Sequence, residues 1–298
     1  MAILCLGEAL VDLICERPVS SLAQADSFVP HFGGATANVA VAAARAGAAV
    51  QLAGGVGDDA LGGWLRERLA DVGVGLDWFE LIKGAPTPLA LVWVDDAGEA
   101  SYQLYAQALG VAVTTIASRL DEALGACDAL FFGTNSLASD PEREVTMAAR
   151  GRALELGLPI LFDPNLRMHR WPDSAAAAAA ANACVEGALL VRMNRFESEL
   201  LTGESDPERA ASSLVQAGAR CVVVTLGPEG ALLRGEVQAD VAAVPAAVLS
   251  TVGAGDAFTG VLLAALAAGD FDPRVLPAAL DDAARAGAAA TERWGAGE

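Results

Sequence analysis

Late in this 298-residue chain stands Ser250-Thr251-Val252-Gly253-Ala254-Gly255-Asp256-Ala257-Phe258, with apolar residues 244–249 before it and a long apolar helical pattern after it. Two glycines let a backbone turn tightly and come close to a ligand. Their N–H groups, at a helix N-terminus, suit a phosphate or a developing anion. Asp256, in the first turn, is placed to take a proton from a hydroxyl that attacks a phosphoryl group. The same residues also read as an ordinary N-terminal turn with a first-turn acid. The loop alone supports both readings.

Other clusters carry polar groups of the same kind. Gly33-Gly34-Ala35-Thr36-Ala37-Asn38 opens a helical pattern, and Asn38 can donate and accept at once, as sugar hydroxyls demand. Asp12, just after the first strand pattern, offers two acceptor oxygens; it also fits a plain turn. Phe162-Asp163-Pro164-Asn165-Leu166-Arg167 and Asn194-Arg195-Phe196-Glu197 place polar groups directly after buried strands. Asn194 and Glu197 suit a hydrated Mg²⁺, an ion that prefers oxygen and keeps its waters. They equally suit a helix cap with its capping-box partner. Thr225-Leu226-Gly227-Pro228-Glu229-Gly230 runs a strand end into a glycine turn.

Several chemistries are excluded. A Walker A loop needs G-x-x-x-x-G-K-[ST], and the single lysine, Lys83, lies in no such loop. Gly55-Val56-Gly57-Asp58-Asp59-Ala60 matches one form of the dinucleotide fingerprint but follows the second strand pattern, not the first. His31 and His169 make no metal-ligand spacing, and there is no G-x-S-x-G elbow. A net charge of -19 argues against nucleic acid and anionic membrane surfaces as partners. Cys5, Cys15, Cys127, Cys184 and Cys221 contain no C-x-x-C pair and read as buried, reduced thiols of a cytoplasmic protein. The N-terminus lacks a basic n-region, and no apolar run is long enough to span a bilayer.

The elements that must position these groups alternate. Strand patterns at 2–6, 50–53, 129–132, 159–162, 189–193 and 221–225 interleave with helical patterns at 35–46, 61–72, 141–156, 174–187, 208–217, 255–268 and 277–294. That order predicts a mostly parallel sheet with helices on both faces, and ligands beyond the C-terminal strand ends. Segments 87–94 and 100–105, joined by Asp95-Asp96-Ala97-Gly98, predict a hairpin: a lid, an oligomer edge or a plain edge hairpin.

Gly33-Gly34-Ala35…Asn38 and Thr251-Val252-Gly253-Ala254-Gly255-Asp256 together resemble the two signatures of the PfkB, or ribokinase-like, carbohydrate kinase family. Between them, Asp58 with Gly62, the D-x-N-x-R run, the N-x-x-E run and the T-x-G-x-x-G turn extend the resemblance over nearly the whole chain. The resemblance implies a ribokinase-like α/β three-layer sandwich with a mostly parallel central sheet. It implies one kinase domain over residues 1–298, with β-lid segments near 13–32 and 87–107 that can pair across a homodimer. It implies transfer of the γ-phosphoryl of ATP, with Mg²⁺, to a small-molecule sugar.

By the same resemblance Asp256 is the base, and the N–H groups of Gly253, Ala254 and Gly255 form an anion hole. Asp12, Gly33, Gly34 and Asn38 hold the sugar, with Tyr105 and Arg167 beside it. Asn194 and Glu197 serve the Mg²⁺–phosphate end through water, and Thr225, Gly227 and Gly230 border the nucleotide. Ser250 stands where the family usually has an Asp that helps hold a monovalent cation. That substitution puts potassium activation in question, although residues 288–295 resemble the cation loop. Gly7-Glu8-Ala9-Leu10-Val11-Asp12, Thr87-Pro88-Leu89-Ala90 and Phe162-Asp163-Pro164-Asn165-Leu166-Arg167 are most similar to fructokinases, which points to fructose. The lid run Tyr102-Gln103-Leu104-Tyr105-Ala106-Gln107 has no arginine, which favours a neutral sugar. Kinases of 2-keto-3-deoxygluconate or ribose are the alternatives, and a non-catalytic sugar or nucleotide sensor is the reading from a different class.

Overall fold

The computed structural model describes residues 1–105 and 109–296. Ala106 and Gln107, part of the expected lid, and the last two residues of the expected domain lie outside the described residues. In chain order the elements are β1 (Ala2–Leu6), β2 (Leu10–Ile14), β3 (Val29–Gly33), α1 (Ala35–Arg45), β4 (Ala49–Gly57), α2 (Ala60–Asp71), β5 (Gly75–Ile82), β6 (Leu89–Val94) and β7 (Ala100–Tyr105). There follow α3 (Leu109–Thr114), α4 (Leu120–Gly125), β8 (Ala129–Gly133), α5 (Asp140–Glu155), β9 (Ile160–Asp163), α6 (Ser174–Asn182), β10 (Leu190–Asn194), α7 (Arg195–Thr202) and α8 (Pro207–Gln216). The chain closes with β11 (Cys221–Thr225), β12 (Ala231–Gly235), β13 (Ala239–Val241), α9 (Ala254–Ala268) and α10 (Leu276–Thr291).

Nine strands form the main sheet in the order β13-β12-β11-β10-β9-β8-β1-β4-β5. It is parallel from β5 through β11 and antiparallel only at β11–β12 and β12–β13. Successive strand side chains point to opposite faces. Ile3 and Cys5 accordingly pack with Val39 of α1, Leu65 of α2, Leu262 of α9 and Leu280 of α10. Leu4 and Leu6 pack with Leu124 of α4, Ala149 of α5, Ala177 of α6, Leu201 of α7 and Leu214 of α8. Burial on both faces explains the continuous apolar runs of the central strands. The layered α/β architecture expected from the alternation is present.

The strand and helix patterns differ from the structure where tertiary contacts decide. Strands β5, β12 and β13 lie at the sheet margins, where half-exposed residues blur the apolar run. The helix expected over 174–187 stops at Asn182, whose Nδ2 donates to Leu201 O at 2.9 Å. Gly55 and Gly57 lie inside β4, so no phosphate-binding turn forms there. Asp59 caps α2: its carboxylate accepts from Gly62 N at 2.9 Å and from Thr87 N at 2.8 Å.

A second sheet, in the order β3-β2-β6-β7, covers one side of the strand ends. Asp12 belongs to β2 of this sheet rather than to the end of a core strand, because the chain leaves β1 at Leu6 and crosses over within three residues. The 87–105 hairpin forms as β6 and β7, with Val92 opposite Tyr102 and Leu89 opposite Tyr105. Its turn reaches the late glycine loop, where Thr251 donates its N–H to Gly98 O at 3.0 Å.

Candidate active site

The C-terminal ends of the parallel strands share one edge: Gly133 lies beside Asp163, and Asn194 beside Thr225. Between this edge and the second sheet is a cleft with about 70 Å³ of enclosed space. Asp12 enters it from β2, Tyr102 and Leu104 from β7, Gly34 and Asn38 from the start of α1, Arg167 from the loop after β9, and Gly253 and Asp256 from the start of α9. Five elements distant in sequence thus converge on one space.

Gly253 sits at φ +78°, a left-handed conformation that a side chain disfavours, and it sharply redirects the chain into α9. The first N–H groups of a helix have no partner within it, so this turn carries positive partial charge. Ala254 makes only a long bond back to Thr251 O, 3.4 Å. Asp256 is buried and accepts from Asn38 Nδ2 at 2.9 Å and from Asn165 Nδ2 at 3.0 Å. Both carboxylate oxygens are therefore aimed by amides, one from the first turn of α1 and one from the loop after β9. Burial pushes the Asp256 pKa up to about 6, opposed by the Asn38 hydrogen bond and the Arg167 charge. Asp12 is raised further, to about 7, by burial and by the charge of Asp256, while Arg167 opposes the shift. Both groups lie near neutrality, where a carboxylate exchanges protons most readily.

Residues 2–298 match the pfkB family carbohydrate kinase family. The chain belongs to that family. It is 32% identical over 259 residues to fructokinase-2 of Solanum habrochaites, covering 86% of this chain and 79% of that protein. Among solved structures it is similar to a double mutant of fructokinase from Vibrio cholerae O395, solved with fructose, ADP and potassium ion bound. The TM-score is 0.85 at 29% identity, over 99% of this chain and 93% of that one. It is also similar to aminoimidazole riboside kinase from Salmonella enterica, complexed with aminoimidazole riboside and an ATP analogue. There the TM-score is 0.83 at 28% identity, over 99% of this chain and 95% of that one. The fold is thus ribokinase-like, and the chain is a carbohydrate kinase.

In this pfkB-family kinase the expected site residues other than Tyr105 divide into three groups. Asp12, Gly34, Asn38, Arg167, Gly253 and Asp256 line the cleft. Gly33 backs its wall, opposite Leu10 in the β2–β3 pair, and Ala254 and Gly255 form the turn beside it. Asn194, Glu197, Thr225, Gly227 and Gly230 lie outside the cleft lining, at the neighbouring ends of β10 and β11. Tyr105 is a correction: it is 53% exposed and points away, because strand alternation puts Tyr102 and Leu104 on the inner face.

The β10 end is held by a capping box. Glu197 N–H donates to Asn194 Oδ1 at 2.9 Å, and Asn194 N–H donates to Glu197 Oε2 at 2.9 Å. Glu197 Oε1 also accepts from Leu166 N at 2.7 Å. Glu197 is buried, and burial together with Asp163 raises its pKa. Asn194 is exposed at the strand end. Ser250 is fully buried, and its Oγ accepts from Val252 N at 3.2 Å. Its hydroxyl accepts a hydrogen bond within the loop and contributes no charge.

Three groups had no role assigned from the sequence. Asn165, at φ +39°, turns its amide onto Asp256. Glu8 accepts from Ala35 N at 2.9 Å and Asn135 Nδ2 at 2.9 Å, bracing the start of α1. Arg170 reaches Asn135 O at 2.7 Å and brings a second guanidinium to the cleft. The D-x-N-x-R run contained Asn165, but only its distance to Asp256 reveals its role.

Proposed function

We propose that the chain transfers the γ-phosphoryl of ATP to a hydroxyl of fructose, with Asp256 as general base. The observation that carries this reading is Asp256 itself: buried, aimed by two amides, and set in the first turn of α9 where unpaired N–H groups gather. The acceptor hydroxyl gives its proton to Asp256 as its oxygen bonds to the γ-phosphorus, and the bond from that phosphorus to the β–γ bridging oxygen breaks, releasing ADP. The N–H groups of Gly253, Ala254 and Gly255 face the charge of the transferring group. Asp12 and Asn38 hold sugar hydroxyls under the second sheet, which serves as a lid. Thr225, Gly227 and Gly230 border the nucleotide.

The Mg²⁺ that accompanies ATP neutralises phosphate charge. Asn194 would meet it through water, with Glu197 holding the strand end in place. Among the described residues no group of three or more His, Cys, Asp or Glu is arranged to hold a metal, so the ion would rest on phosphate and water.

Fructose is supported by the Solanum and Vibrio fructokinases. A coupled ADP-release assay with fructose, ribose, 2-keto-3-deoxygluconate, aminoimidazole riboside and adenosine tests it. Fructose should show the highest kcat/KM; a different leading sugar replaces the acceptor, and no ADP release with any of them favours a sensor. Potassium should matter little: with Ser250 in the loop, exchanging K⁺ for Na⁺ at constant ionic strength should change kcat by less than about twofold. A strong dependence on K⁺ would show that backbone oxygens alone suffice for the ion.

A further inference from the structure

Beneath the first turn of α9 lies a buried cation that the reading above does not use. Arg192 is the central residue of β10 and is 7% exposed. A charge inside a buried strand is costly unless it is paired. Nη1 lies 3.2 Å from Asp163 Oδ2, and Nη2 donates to Thr225 Oγ1 at 2.9 Å. Asp163 Oδ2 also accepts from Thr259 Oγ1 of α9 at 2.8 Å. The guanidinium carbon is 5.7 Å from the ring centre of Phe258, also on α9.

Gly255 shows how close the guanidinium comes to the loop. A β-carbon built there would stand 2.8 Å from Nη1 and 2.9 Å from Nη2. The fork therefore packs against the backbone of the turn that presents the N–H groups, while its two arms hold the ends of β9 and β11. The surroundings are acidic. Asp163 is the ion-pair partner, Asp256 follows Gly255 in the same turn, and Glu197 is buried nearby on α7. Facing Asp256 are Asp163 and Arg192 from the sheet side, and Arg167 and Asp12 from the cleft side.

Resting on the kinase reading, we propose that Arg192 is a positioning residue for phosphoryl transfer. Its fork fixes the first turn of α9, and its buried charge offsets the carboxylates around it, so that Asp256 stays ionised next to an incoming phosphate. It touches no substrate and acts through Gly255, Asp163 and Asp256. The titration behaviour of Asp256 is consistent: burial and Asp163 raise its pKa, and Arg192 lowers it.

The test uses the full chain with Arg192→Gln, Arg192→Lys and Asp163→Asn. Two quantities are measured: the pH profile of kcat/KM with the best sugar, and the Asp256 carboxyl midpoint by ¹³C NMR titration of the substrate-free protein. Arg192→Gln should lower kcat about 10–10²-fold and leave the sugar KM within about threefold. It should move both the acid limb and the Asp256 midpoint to higher pH. Arg192→Lys, which restores the charge without the fork, should return the midpoint toward wild type and recover part of kcat. Asp163→Asn should move the midpoint to lower pH.

An unmoved midpoint in Arg192→Gln overturns the proposal, as does a lysine variant no better than the glutamine one. If Arg192→Gln does not fold, an unmoved or raised midpoint in Asp163→Asn overturns it instead. Absence of wild-type turnover on every sugar removes the kinase reading. Normal turnover with an unmoved Asp256 midpoint removes only the role of Arg192.

Discussion

Asp256→Ala should lower kcat by about 10²–10⁴-fold, the usual contribution of a positioned general base. KM for sugar and for ATP should change far less, because Asp12, Gly34 and the β10–β11 strand ends are untouched. Loss of stability would not account for the effect. Asp256 has its pKa raised from 3.8 to about 6, so the folded state binds the proton more tightly than the unfolded chain. Stability from this group is therefore lost as pH rises from about 4 to about 6, at a cost of about 3 kcal/mol once it is fully ionised. The alanine variant removes that cost, so its thermal midpoint at pH 8 should equal or exceed that of wild type. Turnover at the wild-type rate in a folded Asp256→Ala protein would end the assignment.

The same shift sets the acid side of the activity profile. Only the ionised carboxylate accepts the hydroxyl proton, so kcat/KM should fall about tenfold per pH unit below pH 6. Asp12 titrates nearby, at about 7, and the two carboxylates influence each other. The observed midpoints belong to the pair.

Asp12→Ala should act mainly on sugar binding. A hydrogen bond from a sugar hydroxyl to a buried charged acceptor contributes enough that its loss should raise KM for the sugar about 10–10²-fold. KM for ATP should stay within about twofold and kcat within about tenfold, since Asp12 lies across the cleft from the helix turn. Steady-state kinetics with each substrate varied in turn separates these effects. A rise in KM for ATP equal to that for sugar would show that Asp12 acts through the fold, not on the acceptor.

Several parts of the site were legible along the chain because they are local. A glycine pair before a helix, a carboxylate in a first turn and a polar residue after an apolar run are each set by a few neighbouring residues. The central strands were legible for a related reason: burial on both faces makes each one a continuous apolar run. The edge strand β5 lacks that run, and the sequence pattern passed over it. Tyr102 and Tyr105 show a finer limit. The strand at 100–105 was evident, but which tyrosine faces inward depends on register against β6, and a shift of one residue exchanges the faces.

The late loop illustrates both sides. Composition, the missing Walker lysine and the spacing of its motifs determined by themselves that Gly253, Gly255 and Asp256 could serve phosphoryl transfer on an α/β scaffold. The family resemblance added that Ser250 stands where an Asp is usual. Only the tertiary structure decided which groups aim and tune that carboxylate. Asn38 and Asn165 lie 218 and 91 residues away from Asp256. Arg192 sits in the middle of a strand pattern that reads simply as buried core. Hydrogen bonds and charge interactions depend on distance in space, and strands far apart in sequence meet only when the sheet forms.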